Sequence, residues 1–365
     1  MFITTFAAFD PDASYLLSNY ASNFNAASLT TIDTTVVWPN EALAAPFNTS
    51  IVSLAGGFFA NPAKATGRVS LRAVNAATGT VGREIQVSQD KTGYFYHHIE
   101  WTPVSTRLNA LVSARVKVPT VGQAQGELVL MVPSGNDYMT STWTETVVAT
   151  GPDVFFTLAD LEGKGNIVVI ASQYFTAKAL MLYDCQGSLL NCSDANVKSY
   201  VIDDAAEAGF FSVTYVDVND DGKLDVLATT NTNTGKGGVY VYELAGDYRQ
   251  GASAWTKHEL ATGYTPTLPF LPGRGAPGAI STFSPPSSAE AGAKPWLLVS
   301  GDDAGTVSVL VPSSSSASDW GYQQSFIYNS TGTVGSPVAV VTDAGVDVIV
   351  PDYVQNKLVW LSLLL

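Results

Sequence analysis

Basic charge is what this sequence has least of. Lys and Arg number 18 against 32 Asp and Glu, a net charge of -14, so a phosphate backbone or an anionic bilayer is repelled and neither nucleic acid nor membrane is expected as a partner. Long apolar runs are missing too. None approaches the ~20 residues of a membrane span, and the C-terminal Leu358-Val-Trp-Leu-Ser-Leu-Leu-Leu365 has room only for a final strand. No helix of useful length is visible. His occurs 3 times and Cys 2 times. There is no G-x-S-x-G elbow, P-loop, dinucleotide fingerprint or H-E-x-x-H. Gly273-Arg-Gly-Ala-Pro-Gly278 has the composition of a phosphate loop, but no helix follows, and it reads as a turn that positions Arg274.

What is present is apolar. A hydrophobic content of 46% with 14% charged residues over 365 residues supports a large buried core and excludes a disordered chain. All-β folds of this length commonly form a single domain, and the chain is expected to act as a monomer or small homo-oligomer. It enters strand-like sequence almost at once, so no leader is expected within it. Sequons stand at Asn48, Asn191 and Asn329, and Cys185 and Cys192 are close enough to close a small loop. These lean toward the secretory pathway, with a Cys185–Cys192 disulfide and with Asn191 and Asn329 as glycan acceptors.

The strongest local signal is Asp217-Val-Asn-Asp-Asp-Gly-Lys-Leu-Asp225. Side-chain oxygens at Asp217, Asn219, Asp221 and Asp225, with Gly222 at the bend, are the donor set of a loop around a hard cation such as Ca²⁺. Strand-like runs flank it where an EF-hand would have helices. On these residues the sequence resembles the FG-GAP (VCBS, integrin-α-like) repeat, in which a calcium loop joins the first two strands of a β-propeller blade. The ion is expected to be structural, with no cofactor needed for catalysis. The equivalent turn Asp160–Val168 carries Lys164 at the fifth position and is expected to be metal-free.

Internal repetition extends the resemblance over nearly the whole chain. Trp143-Thr-Glu-Thr-Val-Val-Ala-Thr-Gly151 and Trp255-Thr-Lys-His-Glu-Leu-Ala-Thr-Gly263 stand two units of about 56 residues apart, the size of a four-stranded blade. Similar outer strands end before Gly93, Gly209 and Gly332. The expected fold is therefore an all-β, seven-bladed β-propeller in one domain, with blades near 3–45, 46–92, 93–150, 151–208, 209–262, 263–331 and 332–365. The last blade is short. It is expected to have three strands or to borrow one from the N-terminus.

If the calcium turn marks one face, the segments entering strand one and those following strand two line the other. Tyr94, Phe95, Tyr96, His97, His98, Asp153, Phe155, Phe210, Phe211 and Arg274 enter first strands. Asn19-Tyr20, Gln173-Tyr174 and Asp352-Tyr353 repeat a polar-Tyr pair after second strands. An aromatic funnel with few polar groups suits a small apolar or aromatic ligand; the plain alternative is that the Phe residues plug the channel. Asn48, near the start of a central strand, is expected to be bare or within the site. Adjacent strand residues point to opposite faces, so only one of His97 and His98 is expected to reach the funnel. With Arg274 and Tyr94 or Tyr96 it could serve as a general acid or base. His258 is expected on an exposed outer strand.

Three functions remain open. The diverged blades, sequons and Tyr94–Trp101 segment resemble secreted fungal propellers that include the hetero-Diels-Alderases of tropolonic sesquiterpene biosynthesis. That resemblance implies dehydration of a hydroxymethyl tropolone-type precursor to a quinone methide and cycloaddition to a humulene-type polyene, with Phe155, Phe210 and Phe211 orienting the hydrocarbon. A lectin or adhesion propeller would show near-identical sugar sites, and these blades have diverged. A polysaccharide lyase or dehydratase would need a basic cleft, for which Arg274, Arg107, Arg115 and scattered Lys are little provision.

Overall fold

A computed structural model of the chain describes residues 1–5, 12–18, 28–58, 64–89, 91–204, 208–268, 274–286, 293–342 and 345–363. Runs rich in Val, Ile, Leu and Thr, punctuated by Gly and Asp turns, form strands throughout, and no α-helix occurs among the described residues. The first sheet contains β1 (Phe2–Thr5), β2 (Ala13–Ser18) and β3 (Ser28–Asp33). The second contains β4 (Pro39–Ala45), β5 (Asn48–Gly56) and β6 (Val69–Asn75), with the short β7 (Thr80–Val81) and β8 (Ile85–Gln86) both paired to β6. The third is β9 (Phe95–Ser105), β10 (Leu108–Lys117), β11 (Gln125–Pro133) and β12 (Trp143–Thr150), and the fourth is β13 (Phe156–Ala159), β14 (Val168–Ser172), β15 (Leu180–Asp184) and β16 (Lys198–Asp203). The fifth is β17 (Gly209–Val216), β18 (Asp225–Asn231), β19 (Gly237–Leu244) and β20 (Trp255–Tyr264). The sixth is β21 (Ile280–Phe283), β22 (Trp296–Ser300), β23 (Thr306–Pro312) and β24 (Tyr322–Asn329), and the seventh is β25 (Val338–Thr342), β26 (Gly345–Asp352) and β27 (Lys357–Leu363). The fold is a seven-bladed β-propeller.

The Trp143 and Trp255 repeats both begin the fourth strand of their sheets, the slot their spacing required. The last sheet has three strands among the described residues. One boundary moves. Pro39–Ala45, expected to finish the first blade, instead begins the second, because β4 turns into β5 through the two-residue loop Pro46-Phe47, with Ala45 opposite Asn48. So short a loop makes the two segments antiparallel partners.

The second strands of the fourth and fifth sheets are buried on both faces: every residue of β14 and of β18 is buried. Each fully buried Val, Leu or Ile in them contributes about 1.5–3 kcal/mol. The chain divides into two compact units, the first Met1–Phe156 with Glu162–Val168 and Tyr183–Lys198, the second Thr157–Leu161 with Val169–Leu182 and Ser199–Leu365. A core around Leu71, Tyr96, Leu111 and Met131 fills part of the first. Cores around Leu227, Val241 and Leu297 and around Leu298, Val309 and Val348 fill part of the second. No helix among the described residues is long and apolar enough to cross a membrane, and Cys185 and Cys192 form the expected disulfide.

Candidate functional site

The residues expected at one funnel fall in both compact units, and each group stands by itself. In the first unit, β9 does not keep strict alternation at the histidines. His98 pairs with Ala114 and Tyr96 with Arg115, so His97 is the extra residue of a β-bulge. A bulge re-aims the side chain it adds. Both rings therefore meet Phe155, at centroid distances of 4.8 Å for His97 and 5.1 Å for His98, in place of the opposite faces that simple alternation requires.

His98 is clamped between two carboxylates: Nδ1 lies 3.0 Å from Glu41 Oε2 and Nε2 lies 3.4 Å from Glu100 Oε1. Glu41, on β4, is itself oriented by the Ile99 amide, which donates to Oε2 at 2.8 Å. Burial opposes the imidazolium, but Glu41 and Glu100 outweigh it and push His98 up to about 10. Burial and the adjacent His98 charge hold His97 down at about 3. One ring is thus cationic and the other neutral across the neutral pH range.

Tyr94 and Tyr96 join a different group. Arg115, 2% exposed, donates Nη1 to Tyr96 Oη at 2.8 Å and to Glu145 at 2.6 Å, and Nη2 to Glu127 at 2.7 Å. Tyr94 donates to Glu127 at 3.3 Å, and Lys91 pairs with the same carboxylate. The two phenols serve a buried ion network. Phe95 and Asp153 are fully buried, with Phe95 packed edge-on to Phe58. Asn48 is exposed at the β4–β5 hairpin turn, the strand-one to strand-two position, and so leaves the slot expected for it. Tyr20 lies outside the described residues.

The second unit gathers the more open polar group. Tyr174, after β14, donates to Asn231 Oδ1 at 3.1 Å, and its ring packs against Phe175 and Phe211. Asn231 ends β18 and is held from both sides: its Nδ2 donates to Pro277 O at 2.9 Å and to Asp302 Oδ2 at 3.3 Å. Gly275 makes room for it, since a Cβ there would stand 1.7 Å from Asn231 Oδ1. Asp302, between β22 and β23, is half-buried in left-handed backbone at φ 53°, a conformation that costs a non-glycine residue energy and recurs at functional positions.

The next residue completes the group. Asp303, 7% exposed, accepts Arg274 Nη1 at 2.5 Å, the Gly275 amide at 3.0 Å and the Thr333 hydroxyl. Arg274 also donates Nη1 to Thr333 at 2.8 Å, and it keeps 39% of its side chain exposed. Burial pushes the Asp302 carboxyl well above the usual carboxylate range and the Asp303 charge adds to this, while Asn231 and Arg274 pull the other way. The raised pKa favours the protonated form of Asp302, while the Asp303 carboxylate group is taken up by Arg274, Gly275 and Thr333. Tyr353 is 36% exposed; burial of its phenol, with Asp302 close by, raises its pKa.

Three other expected residues of this unit are buried. Phe210 is fully buried against Tyr242, and Gln173 is 6% exposed at the end of β14. Asp352, 1% exposed, accepts the Tyr328 hydroxyl at 2.6 Å and the Gln355 amide at 2.9 Å, which holds its own turn. His258, expected to be exposed, is half-buried and stacked on Trp320 at 4.1 Å. Asn231, Asp302 and Asp303 escaped the sequence reading because they follow second strands without a Tyr beside them. Alignment of the strand-two ends alone would have found them.

The acidic loop joins β17 to β18. Asp217 Oδ1 accepts the Asp220 amide at 2.7 Å and its Oδ2 the Gly222 amide at 2.9 Å. Asp221 Oδ1 accepts Lys223 N at 2.9 Å, and Asp225 Oδ2 accepts Val218 N at 3.1 Å. Gly222 has φ 83°, as the sharp bend needs. Burial, together with Asp221, Asp217 and Glu243, pushes Asp225 up to about 7 against the pull of the Val218 amide. Among the described residues no three His, Cys, Asp or Glu side chains converge on one point as a finished metal site. Asp217, Asn219, Asp221 and Asp225 nevertheless fit Ca²⁺ in donor type, and the crowding that raises Asp225 is what a cation would relieve.

No family model matches the chain, and no curated relative matches it. Among solved structures the chain is similar to Sqt1 of Saccharomyces cerevisiae, with a TM-score of 0.53 and 12% identity over 99% of this chain and 81% of that one. At that identity the likeness speaks for the fold alone, and the fold it supports is the β-propeller.

Proposed function

We propose that the protein is an enzyme acting on a small, hydroxylated aromatic or apolar substrate, with chemistry of the kind its resemblance to the fungal hetero-Diels-Alderases implies. The reaction would be loss of water from a hydroxymethyl phenol- or tropolone-type precursor to a quinone methide, followed by cycloaddition to a polyene. The observation that carries this reading is the juxtaposition of Arg274–Asp303 with the half-buried Asp302–Asn231–Tyr174 chain. A guanidinium edge can hold a developing oxyanion. Neighbouring Tyr174, Phe211 and Tyr353 rings suit an aromatic ligand. None of these groups calls for an organic cofactor.

Ca²⁺ at Asp217, Asn219, Asp221 and Asp225 belongs to the same proposal as a structural ion for the β17–β18 hairpin. A secretory setting fits the disulfide, with Asn191 and Asn329, both exposed, as glycan acceptors. A thermal-shift panel tests the reading. Ortho-hydroxybenzyl alcohol and humulene are expected to stabilise the protein, and Arg274→Gln to weaken the response to the alcohol. Stabilisation by neutral oligosaccharides or by oligogalacturonate, with no response to the aromatic alcohol, would turn the reading to a lectin or a lyase.

A further inference from the structure

The polar group of the second unit contains an acid that neither the resemblance nor the repeat pattern singles out. Asp302 Oδ2 takes a hydrogen bond from Asn231, whereas Asp302 Oδ1 accepts none from any described residue. Asn231 cannot turn away, because Tyr174 and Pro277 fix both ends of its amide. The floor beneath is also fixed: a Cβ on Gly278 would lie 3.0 Å from Asp302 Cβ, so the carboxyl rests directly on backbone. Asp302 N is held by Ser300 Oγ at 3.1 Å, and its carbonyl accepts the Val334 amide at 3.1 Å. Backbone and amide thus hold Asp302 with one carboxyl oxygen uncommitted among the described residues. Beside it, Arg274 uses only Nη1 on protein partners, so Nε and Nη2 have no hydrogen bond among the described residues.

We propose that Asp302 is the catalytic acid of this site and delivers its proton through Oδ1 to a hydroxyl leaving group of a bound phenolic alcohol. The inference rests on the enzyme reading above and goes beyond it by assigning the proton. The benzylic C–O bond breaks, and the leaving oxygen departs as water with the Asp302 proton. The phenol O–H gives its proton to the Asp302 carboxylate, which restores the acid, and the phenol oxygen becomes the quinone methide carbonyl, stabilised by the Arg274 guanidinium. Nothing is oxidised or reduced. Asp303, which accepts from Arg274 and Thr333, positions the guanidinium. Asn231, which touches Asp302 and not the substrate, is a positioning residue.

The step is reversible, so it exchanges the benzylic oxygen with solvent. Ortho-hydroxybenzyl alcohol is incubated with the protein in oxygen-18 water, and the label is read by mass spectrometry, while calorimetry follows binding of the same alcohol. Wild-type protein is expected to bind it and to accelerate exchange. Asp302→Asn, of nearly the same shape, is expected to bind it and lose exchange by about 100-fold or more, whereas Asn231→Ser is expected to retain partial exchange with a shifted pH profile. Exchange by Asp302→Asn at the wild-type rate, or binding without exchange by the wild type, would overturn the assignment. Absence of binding by wild-type protein would instead remove the enzyme reading on which it rests. Circular dichroism of each variant guards against misfolding, and Asp302→Glu is the second variant if Asp302→Asn does not fold.

Discussion

His98 Nδ1 lies 3.0 Å from Glu41 Oε2, which joins β9 to β4 through a charged hydrogen bond in a largely buried setting. A His⁺ so held is a structural cation at neutral pH. Its pKa is raised from 6.5 to about 10 in the folded state, so its stabilising contribution is full below pH 6.5 and is lost as pH rises through 10. Glu41→Gln is expected to cost about 1–3 kcal/mol at pH 6 and to flatten the decline between pH 7 and 10. Denaturant unfolding across that range checks both; an unchanged alkaline decline in Glu41→Gln would assign it elsewhere.

Asp225 also weakens the fold as pH rises, but through burial of a carboxylate and not through loss of an ion pair. Its pKa is raised from 3.8 to about 7 in the protein without an ion, so the calcium-free protein is expected to lose stability as pH climbs from about 4 to 7, where the folded state resists ionising this group. Ca²⁺ should reverse that loss, adding about 2.7 kcal/mol at a concentration 100 times its Kd. Melting with calcium and with chelator, for wild type and Asp221→Ala, measures it. If Asp221→Ala responds to calcium as wild type does, the loop is not the site.

The buried Arg115 network also has a clear expectation. Arg115→Ala leaves Glu145, with a side chain 5% exposed, and Glu127 without their guanidinium, and removing one member of such a pair costs about 3–5 kcal/mol. Arg115→Met fills the space yet also strands the carboxylates, so it should be nearly as damaging, whereas the triple variant Arg115→Met, Glu127→Gln, Glu145→Gln should recover part of the loss. Urea unfolding of the three proteins gives the comparison. Additive losses in the triple variant would contradict the network.

The Cys185–Cys192 bridge closes a loop across a separation of 7 residues. Chain entropy alone gives such a short loop about 2 kcal/mol. The double variant C185S/C192S should lose that much and keep the rest of the fold, as read by thermal melting. A loss near zero would mean that the Ser188-capped turn Leu189–Asn191 holds the loop unaided.

The blade count and the outer strands at Trp143 and Trp255 were legible because a repeat states its register several times over. What the repeat could not carry was local. The first boundary slipped because Pro46-Phe47 makes a hairpin without the usual Gly or Asn signal, and with it Asn48 moved to an exposed turn. The orientation of His97 depends on a single extra residue in β9, which changes no composition and no spacing. Asp302 and Asn231 become a pair only when two neighbouring sheets bring their strand-two ends together, a contact that no one-dimensional pattern records. Tyr94 and Tyr96 were legible as aromatics, but their partner Arg115 lies on β10 and faces them only through strand pairing.

As proposed, the Arg274–Asp302 group turns a hydroxymethyl phenol into an electrophile that a polyene captures. Ortho-hydroxybenzyl alcohol and humulene incubated with the protein, and followed by chiral chromatography with mass detection, give the most direct reading. The expected product is an adduct with the mass of the two reactants less one water, formed as predominantly one stereoisomer and lost in Arg274→Gln and Asp302→Asn. Adduct formed only at the buffer rate and as a racemate, with wild-type protein present and folded, would contradict it.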